Sequence, residues 1–232
     1  MKNVRLIGVT QPTINMNGDD VREDLGKMTP MTAEQLIAYC ARVSNPANQD
    51  NPDAERLLKY CVRNEHWSIF EMVNVVMEIS TTRDIARQIL RHRSFSFQEF
   101  SQRYAQVTDM SSPRETRMQD TKNRQNSIVN DDAMALNNDW QNLQLEVIDW
   151  ITDVYKWALE NGIAKEQARV ILPEGLTMSR MYMNGTLRSW ITYCKLRMGN
   201  GTQNEHREIA TQCWNIITEQ FPSLKNVLDN AS

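Results

Sequence analysis

The sequence predicts an α+β fold, in which an antiparallel sheet with flanking helices forms a single domain over residues 1–232. Short β-branched runs and amphipathic helical segments follow one another irregularly, without the repeated strand–helix–strand pattern of a parallel sheet. The 232 residues, 41% of them hydrophobic, are enough to bury one good core. A long amphipathic helix is expected after a polar stretch in the middle of the chain.

Four elements are predicted in the N-terminal part. The apolar run at residues 4–9 indicates a first strand, and residues 32–43 indicate a helix with a threonine cap followed three residues later by Gln35. Residues 53–63 indicate a second helix. Residues 73–81 are β-branched and partly alternating, which makes them the clearest strand in the sequence.

The segment from Arg91 to Tyr104 has the composition of a binding site, with three arginines, a histidine, a carboxylate and several hydroxyls. Guanidinium groups bind phosphate bidentately, so the cluster predicts an anionic ligand. Helical spacing predicts a helix over 82–90 that ends at Arg91 and presents Gln88 and Arg91 on one face. A two-residue alternation after it predicts an extended chain. The side chains that would then share one side are Glu99, Ser101 and Arg103.

A polar insert spans residues 105–132 and is predicted to be either a lid over the site or a disordered connection. The helix after it carries an apolar stripe at alternating steps of four and three residues, and Asn161-Gly162 supply its stop. The stripe consists of Leu136, Trp140, Leu143, Val147, Trp150, Val154 and Trp157. We interpret it as the buried face of a core helix, with a seam between subunits as the alternative.

Composition and charge argue against several classes of protein. The net charge of −3 disfavours broad affinity for nucleic acid, and no apolar run reaches the roughly 20 residues of a membrane span. We therefore expect no nucleic-acid partner, no membrane association and a cytoplasmic location. The four cysteines are widely spaced and are interpreted as reduced packing residues. The three histidines lack metal-ligand spacing, so no metal is expected.

The motif Arg91-His92-Arg93, followed after seven residues by Ser101, resembles the signature of the flavin-dependent thymidylate synthases. Further segments match that family in the same order. They are Ala41-Arg42-Val43-Ser44, His66-Trp67-Ser68-Ile69-Phe70-Glu71, Arg169-Val170-Ile171-Leu172-Pro173, Leu187-Arg188-Ser189-Trp190, Leu196-Arg197 and Gln203-x-Glu205-x-Arg207. The resemblance covers most of the chain and implies an enzyme that makes dTMP from dUMP.

The resemblance also implies cofactors, partners and site residues. FAD would be the flavin, NADPH the hydride donor and methylenetetrahydrofolate the methylene source, in a homotetramer whose sites are shared between subunits. The residues expected at FAD are Ser68, Arg91, His92, Arg93, Glu99, Thr186, Leu187, Arg188 and Thr192. Those expected at dUMP are Gln88, Ile89, Leu90, Arg91, Glu99, Phe100, Ser101, Gln102, Arg103, Arg169 and Arg197.

Within this resemblance Arg197 is the catalytic residue, a fixed cation that stabilises negative charge developing on the pyrimidine. No cysteine lies near the arginine cluster in sequence, which agrees with a mechanism without a thiol nucleophile. Arg188 and Arg197 are nine residues apart and should lie on opposite sides of one helix. Their separation favours a site assembled between subunits.

Two other functions agree with parts of the pattern. An RNA- or nucleotide-binding module could use the arginines together with Phe95, Phe97 and Tyr104 as stacking surfaces. A flavoprotein of the same fold could instead transfer the methylene to a different uracil, such as one in RNA.

Overall fold

The computed structural model describes residues 3–22, 29–129, 133–225 and 227–228. Its strands are β1 (Val4–Val9), β2 (Asn74–Thr82), β3 (Ser96–Glu99), β4 (Arg117–Gln119), β5 (Ser127–Val129) and β6 (Met178–Thr186). Its α-helices are α1 (Ala33–Ala41), α2 (Glu55–Arg63), α3 (Arg83–Ile89), α4 (Met134–Glu160), α5 (Lys165–Ala168), α6 (Leu187–Arg197) and α7 (Asn204–Gln220). None of these helices is long and apolar enough to cross a membrane.

A four-stranded antiparallel sheet with the order β1-β2-β6-β3 forms the centre of the fold. Side chains alternate between its faces, and Met77 and Met183, which pair across β2 and β6, are fully buried. The helices α3, α6 and α7 contribute to the same hydrophobic core. Trp190 of α6 also donates its indole N–H to the carbonyl of Val75 at 3.0 Å. The predicted α+β class with an antiparallel sheet is confirmed.

The predicted N-terminal elements are confirmed as well. At the start of α1, Thr32 accepts from the Gln35 N–H at 3.2 Å, and the Gln35 side chain accepts from the Thr32 N–H at 2.8 Å. This is the capping box that the spacing predicts. The strands β1 and β2 and the helices α2 and α3 also lie where they are predicted.

The long helix α4 forms, and Gly162, with a φ of +76°, lies in the left-handed conformation just after it. Its interpretation as a core helix is wrong for the isolated chain. The face that it buries carries Ile151 and Tyr155, whereas most of the predicted stripe is exposed, with Trp140 at 47% and Trp150 at 67%. Spacing along a helix identifies an apolar face, but it does not say whether the covering surface belongs to the same chain.

The first part of the polar insert is packed against the rest of the protein, whereas residues 121–129 are exposed. Its strands β4 and β5 pair as an antiparallel hairpin. Ahead of them, Arg114 contacts both carboxylate oxygens of Asp84 at 2.8 Å. The Gln144 side chain of α4 accepts from the Arg114 N–H and donates to the Arg114 carbonyl, each at 2.9 Å. Residues 130–132 of the predicted insert lie outside the described residues, and its role as a lid stays a prediction.

Candidate active site

The turn that carries the Arg91-His92-Arg93 motif is fixed by the aromatic ring that follows it. Phe95 packs edge-on against Trp190 with ring centroids 4.9 Å apart. The ring fits because Gly185 of β6 has no side chain: a Cβ there would lie 2.4 Å from the Phe95 ring. Phe95 therefore holds the turn against α6, the helix that ends at Arg197.

Arg197 and His92 form the centre of the candidate site. The Arg197 Nε–H donates to His92 Nε2 at 2.9 Å. Because a guanidinium only donates, His92 must be neutral and carry its proton on Nδ1. Burial and the nearby Arg197 charge agree with this, because they lower the pKa of His92 from 6.5 to about 4. The terminal nitrogens of Arg197 have no partner in the described part of the chain, so they can face a ligand.

A buried hydrogen-bonded network lies behind this pair. The Tyr193 hydroxyl is 3.1 Å from His206 Nε2, and His206 Nδ1 is 3.2 Å from the side-chain oxygen Oε1 of Gln88. Gln88 donates to Gln203 at 2.8 Å, and Gln203 donates to Glu205 at 3.0 Å. Burial, with the Arg197 charge as the second cause, lowers the pKa of His206 to about 3. The side chain of Gln88, a residue of α3, is thus held by His206 of α7 and by Gln203, the residue just before α7.

Arg91 and Arg93 are exposed, and neither forms an ion pair with any residue that the structure describes. Two guanidinium groups without described ion-pair partners, two positions apart in the chain, suit a pyrophosphate, which needs several fixed donors when no glycine-rich loop is present. The donor set therefore fits a dinucleotide such as FAD. Because α3 ends at Ile89, Arg91 lies outside the helix, and the prediction that it shares a helical face with Gln88 is wrong.

Glu99 lies at the end of β3 in a partly buried position. One of its carboxylate oxygens accepts from Ser179 at 2.8 Å and lies 3.4 Å from Arg83. No described residue occupies its other carboxylate oxygen. The carboxylate is therefore oriented from one side and available to a ligand from the other.

The Phe100 N–H still donates to the Arg180 carbonyl of β6 at 2.9 Å, but the chain turns from Ser101 onward, which contradicts the prediction of a continuous extended segment. The Ser101 carbonyl accepts from the N–H groups of Tyr104 and Ala105, at 3.1 and 2.9 Å. Gln102 is buried as a result, and its side-chain nitrogen has no partner among the described atoms. The alternation of polar and apolar residues extends only to Gln98, inside β3, so it does not predict an extended chain as far as Arg103.

Arg103 and Arg169 come together around one residue of α5. Arg103 lies 3.5 Å from the Glu166 carboxylate, and Arg169 donates from Nε to the Glu166 carbonyl at 3.3 Å. Phe100 packs nearby in a small second hydrophobic cluster with Tyr155 of α4. This pair of arginines forms a second basic group, separate from the contacts of Arg197.

The start of α6 forms a third group. Arg188 pairs with Glu71, and both side chains are partly exposed, as is Ser68 nearby in the chain. Thr186 caps the helix by accepting from the Ser189 N–H at 3.3 Å. The hydroxyl of Thr192 donates to the Arg188 carbonyl at 3.1 Å.

The apolar residues among the predicted contacts are turned inward. The side chains of Leu187 and Ile89 are fully buried, and the Leu187 N–H donates to the Val73 carbonyl at 2.8 Å. Leu90 is partly buried and packs against the main core. These residues shape the site by supporting their polar neighbours.

The cysteines agree with their interpretation as packing residues. All four are free, and Cys194 and Cys213 are fully buried behind Tyr193. Burial raises the pKa of both thiols well above the ordinary range, which keeps them protonated and poorly nucleophilic.

Several residues of the site are missing from the sequence prediction. Arg83 and Ser179 orient Glu99, while Tyr193 and His206 line the network behind Arg197. The segment Gln203-x-Glu205-x-Arg207 does signal that α7 belongs to the site, but its spacing does not reveal His206 as the buried member. The contact of His206 with Gln88 depends on how α7 packs against α3 in the folded protein.

Known proteins resemble this chain along nearly its whole length. A sequence model of the family described as "Thymidylate synthase complementing protein" matches residues 27–223. The chain is 48% identical over 230 residues to the "Probable flavin-dependent thymidylate synthase" of Paramecium bursaria Chlorella virus 1, covering 98% of this chain and 99% of that protein. It is 49% identical over 228 residues to the "Flavin-dependent thymidylate synthase" of Synechocystis sp., with coverage of 98% and 99%.

Solved structures share the fold at lower identity. The UMP/dUMP methylase PolB from Streptomyces cacaoi, bound with 5-Br dUMP, matches with a TM-score of 0.75 and 20% identity, covering 97% of this chain and 93% of that one. This likeness supports the architecture, while the family model and the relatives close to half identical identify the lineage. The chain belongs to the flavin-dependent thymidylate synthase family.

Proposed function

We propose that this protein makes dTMP from dUMP by reductive methylation, with FAD as cofactor, NADPH as reductant and methylenetetrahydrofolate as the methylene donor. The observation that carries the proposal is Arg197, which is held at Nε by the neutral His92 and keeps its terminal nitrogens for a ligand. A cation fixed before the reaction stabilises negative charge developing on a pyrimidine without reorganising.

The remaining residues have distinct roles toward dUMP. Arg103 and Arg169, which meet at Glu166, would bind the phosphate together with Arg91. Gln88 would contact the pyrimidine through its half-buried amide. Glu99, oriented by Ser179, would accept a hydrogen bond from the nucleotide or the cofactor.

FAD would be held chiefly by the exposed arginines of the motif. Arg91 and Arg93 would bind its pyrophosphate, and Ser68, Arg188 and Thr192 would contact it from the start of α6. When bound, the flavin supplies hydride transfer and carries the methylene group. The protein contributes donors in fixed positions and a neutral His92 beside them.

We further propose that the site is completed between subunits of a homotetramer. Arg188 and Arg197 lie at opposite ends and on opposite sides of α6, and each has its own partner, Glu71 or His92. One copy of the chain thus carries separate groups of ligand-binding residues. The exposed apolar stripe of α4 offers a surface for association. The free cysteines agree with a cytoplasmic location.

The test is NADPH oxidation by the protein with added FAD, measured with and without dUMP. We expect dUMP to accelerate the oxidation, because NADPH and dUMP must act at the same flavin. Oxidation that ignores dUMP would contradict the thymidylate assignment, and an absence of oxidation would contradict the flavin assignment. Competition between dUMP and a uracil-containing RNA would distinguish methylation of the nucleotide from methylation of RNA.

The binding-module alternative has less support. Phe95 and Phe97 are partly buried and packed against the main core, so they do not form a free stacking surface. Tyr104 alone is fully displayed, at 87% exposure. Salt-sensitive oligonucleotide binding without flavin would favour that alternative.

A further inference from the structure

We propose that His206 is a positioning residue that fixes the carboxamide of Gln88, so that the enzyme distinguishes a uracil from a cytosine nucleotide. The inference rests on the proposed function, in which Gln88 contacts the pyrimidine. It concerns a residue of α7 that is wholly buried and cannot itself reach a ligand.

The hydrogen bonds around Gln88 form one continuous chain. At the buried end, the Tyr193 hydroxyl lies 3.1 Å from His206 Nε2, and His206 Nδ1 lies 3.2 Å from Gln88 Oε1. Gln88 Nε2 then donates to Gln203 Oε1 at 2.8 Å, and Gln203 Nε2 donates to a Glu205 carboxylate oxygen at 3.0 Å. The other carboxylate oxygen of Glu205 pairs with Arg117. The residues of this hydrogen-bonded series lie on α3, α6 and α7, apart from Gln203, which directly precedes α7.

The direction of this chain is dictated by its ends. A carboxylate only accepts, so Gln203 must turn its NH2 toward Glu205 and its carbonyl toward Gln88. Gln88 must then donate to Gln203 and offer its carbonyl to His206, which therefore donates from Nδ1. His206 Nε2 is left to accept from the Tyr193 hydroxyl. A single orientation of each amide satisfies all four bonds.

The charges around His206 keep its ring neutral, which is the protonation state that the hydrogen bonds to Gln88 and Tyr193 require. Arg197 and His92 are the titratable groups that face it along with Tyr193, and the ring centroids of His92 and His206 are 6.4 Å apart. Burial and the Arg197 charge both disfavour a second proton on the ring. His206 therefore stays a donor at Nδ1 and an acceptor at Nε2.

A fixed amide can tell the two pyrimidines apart. Gln88 keeps one free N–H and one free lone pair after its two internal bonds, and its side chain is only half-buried. Uracil presents a carbonyl beside a ring N–H, whereas cytosine presents an amino group beside a bare ring nitrogen. An amide free to rotate by half a turn could pair with either edge. An amide locked by His206 and Gln203 matches one of them.

The test compares two substitutions of His206 that keep different halves of the ring. In His206→Asn, the amide nitrogen can occupy the position of Nδ1 and still donate to Gln88. In His206→Gln, the longer amide reaches the position of Nε2 and the donor to Gln88 is lost. Dissociation constants for dUMP and dCMP are measured by calorimetry on the protein with added FAD, with kcat and KM for dUMP alongside.

We expect His206→Gln to reduce the preference for dUMP over dCMP about tenfold, the effect of one neutral hydrogen bond. The loss should appear mainly in KM. His206→Asn should keep the preference within about threefold, although both variants lose ring packing and should melt at similar temperatures. If either variant fails to fold, Gln203→Met removes the bond on the other side of the amide at a half-buried position and should reduce the preference similarly.

Three results would overturn the inference. Equal preferences in His206→Gln, His206→Asn and wild type would show that the amide is positioned by other means. An equal loss in both His206 variants would reduce His206 to a packing residue. Failure of the wild-type protein to bind dUMP would instead overturn the proposed function, and the positioning role with it.

Discussion

Arg197 shows how much of this site is decided by single side chains. Its guanidinium is half-buried at the end of α6 and is attached at Nε to a histidine whose pKa is lowered to about 4. The charge is therefore held in place without being neutralised by a carboxylate. An Arg197 paired with a carboxylate would have its charge neutralised within the protein. An Arg197 held by a neutral histidine keeps its charge available to stabilise a negatively charged transition state.

Replacing Arg197 with alanine is expected to reduce dTMP formation at least 100-fold, the typical effect of removing a fixed electrostatic donor. The protein should remain folded, because among the described residues the Arg197 side chain bonds only to His92. Turnover and circular dichroism are measured together, with Arg5→Ala as the control, since Arg5 lies on β1 and its ion pair among the described residues is with Glu78 of β2. Wild-type turnover in Arg197→Ala would refute its catalytic role.

Arg93→Ala is expected to weaken flavin retention, because its exposed guanidinium has no described protein partner and is assigned to the FAD pyrophosphate. The measurement is the ratio of absorbance at flavin and protein wavelengths after gel filtration. Arg56→Ala, an exposed arginine on α2, is the control. An unchanged flavin content, or a loss as large in the control, would contradict the assignment.

At the scale of elements, α4 provides an exposed apolar surface for association, and β6 positions the helix that carries Arg188 and Arg197. The apolar stripe of α4 lies beside the face that carries Ile151 and Tyr155, so one helix has a side packed within the chain and a side that is open. β6 pairs with β2 and β3 and ends at Thr186, the cap of α6. Its register therefore sets the position of the whole arginine-bearing helix.

Leu143→Lys is expected to disrupt the oligomer, because it inserts a charge into the exposed stripe of α4, where Leu143 is 54% exposed in the single chain. Analytical ultracentrifugation should show a smaller species with reduced dUMP turnover. Asn142→Lys is the matched control, since it adds the same charge about 100° away around the helix. An unchanged sedimentation coefficient in Leu143→Lys would exclude this face from the interface.

Gly185→Ala is expected to destabilise the protein by about 1–3 kcal/mol, the usual cost of overpacking a core. The new methyl group would lie 2.4 Å from the Phe95 ring and push the motif-bearing turn outward. Gly8→Ala in β1 is the control, because a Cβ there has nothing within 4 Å. Urea unfolding of both variants gives the comparison, and equal free energies of unfolding would contradict the close contact.

At the scale of the whole molecule, burial of uncharged histidines links stability to pH. In the folded protein the pKa is about 4 for His92 and about 3 for His206, against 6.5 for an ordinary histidine. As the pH falls below 6.5, the unfolded chain takes up protons that the folded protein does not. Proton uptake by the unfolded state favours unfolding, so stability should fall between pH 6.5 and pH 4.

The urea midpoint is accordingly expected to decrease steadily from pH 7 to pH 4.5. His206→Leu should show a shallower decrease, because it removes one of the two buried imidazoles. Asp84, whose burial is outweighed by its hydrogen bonds to Arg114 and Thr82 so that its pKa is lowered in the folded protein, contributes little in this window because its ordinary value of 3.8 already lies below pH 4.5. Parallel curves for wild type and His206→Leu would contradict the predicted linkage.

Much of this architecture could be predicted from local pattern. The Thr32 capping box, the β-branched run of β2 and the stop at Gly162 follow from backbone preferences that act over a few residues. The Arg91-His92-Arg93 motif and its matching segments indicate the family, to which the chain does belong. These features depend on residues close together in sequence.

The tertiary structure decided the features that depend on contacts between distant segments. The exposure of the α4 stripe, the turn after Glu99 and the separation of Arg103 from Arg197 depend on what packs nearby. His206 reaches Gln88 across 118 positions of sequence, a contact without local periodicity. The sequence by itself thus determined the elements, the family and the reactive residue types, because these depend on local preferences and composition. Only folding decided which polar groups share a buried network, because hydrogen bonds are satisfied by neighbours in space rather than along the chain.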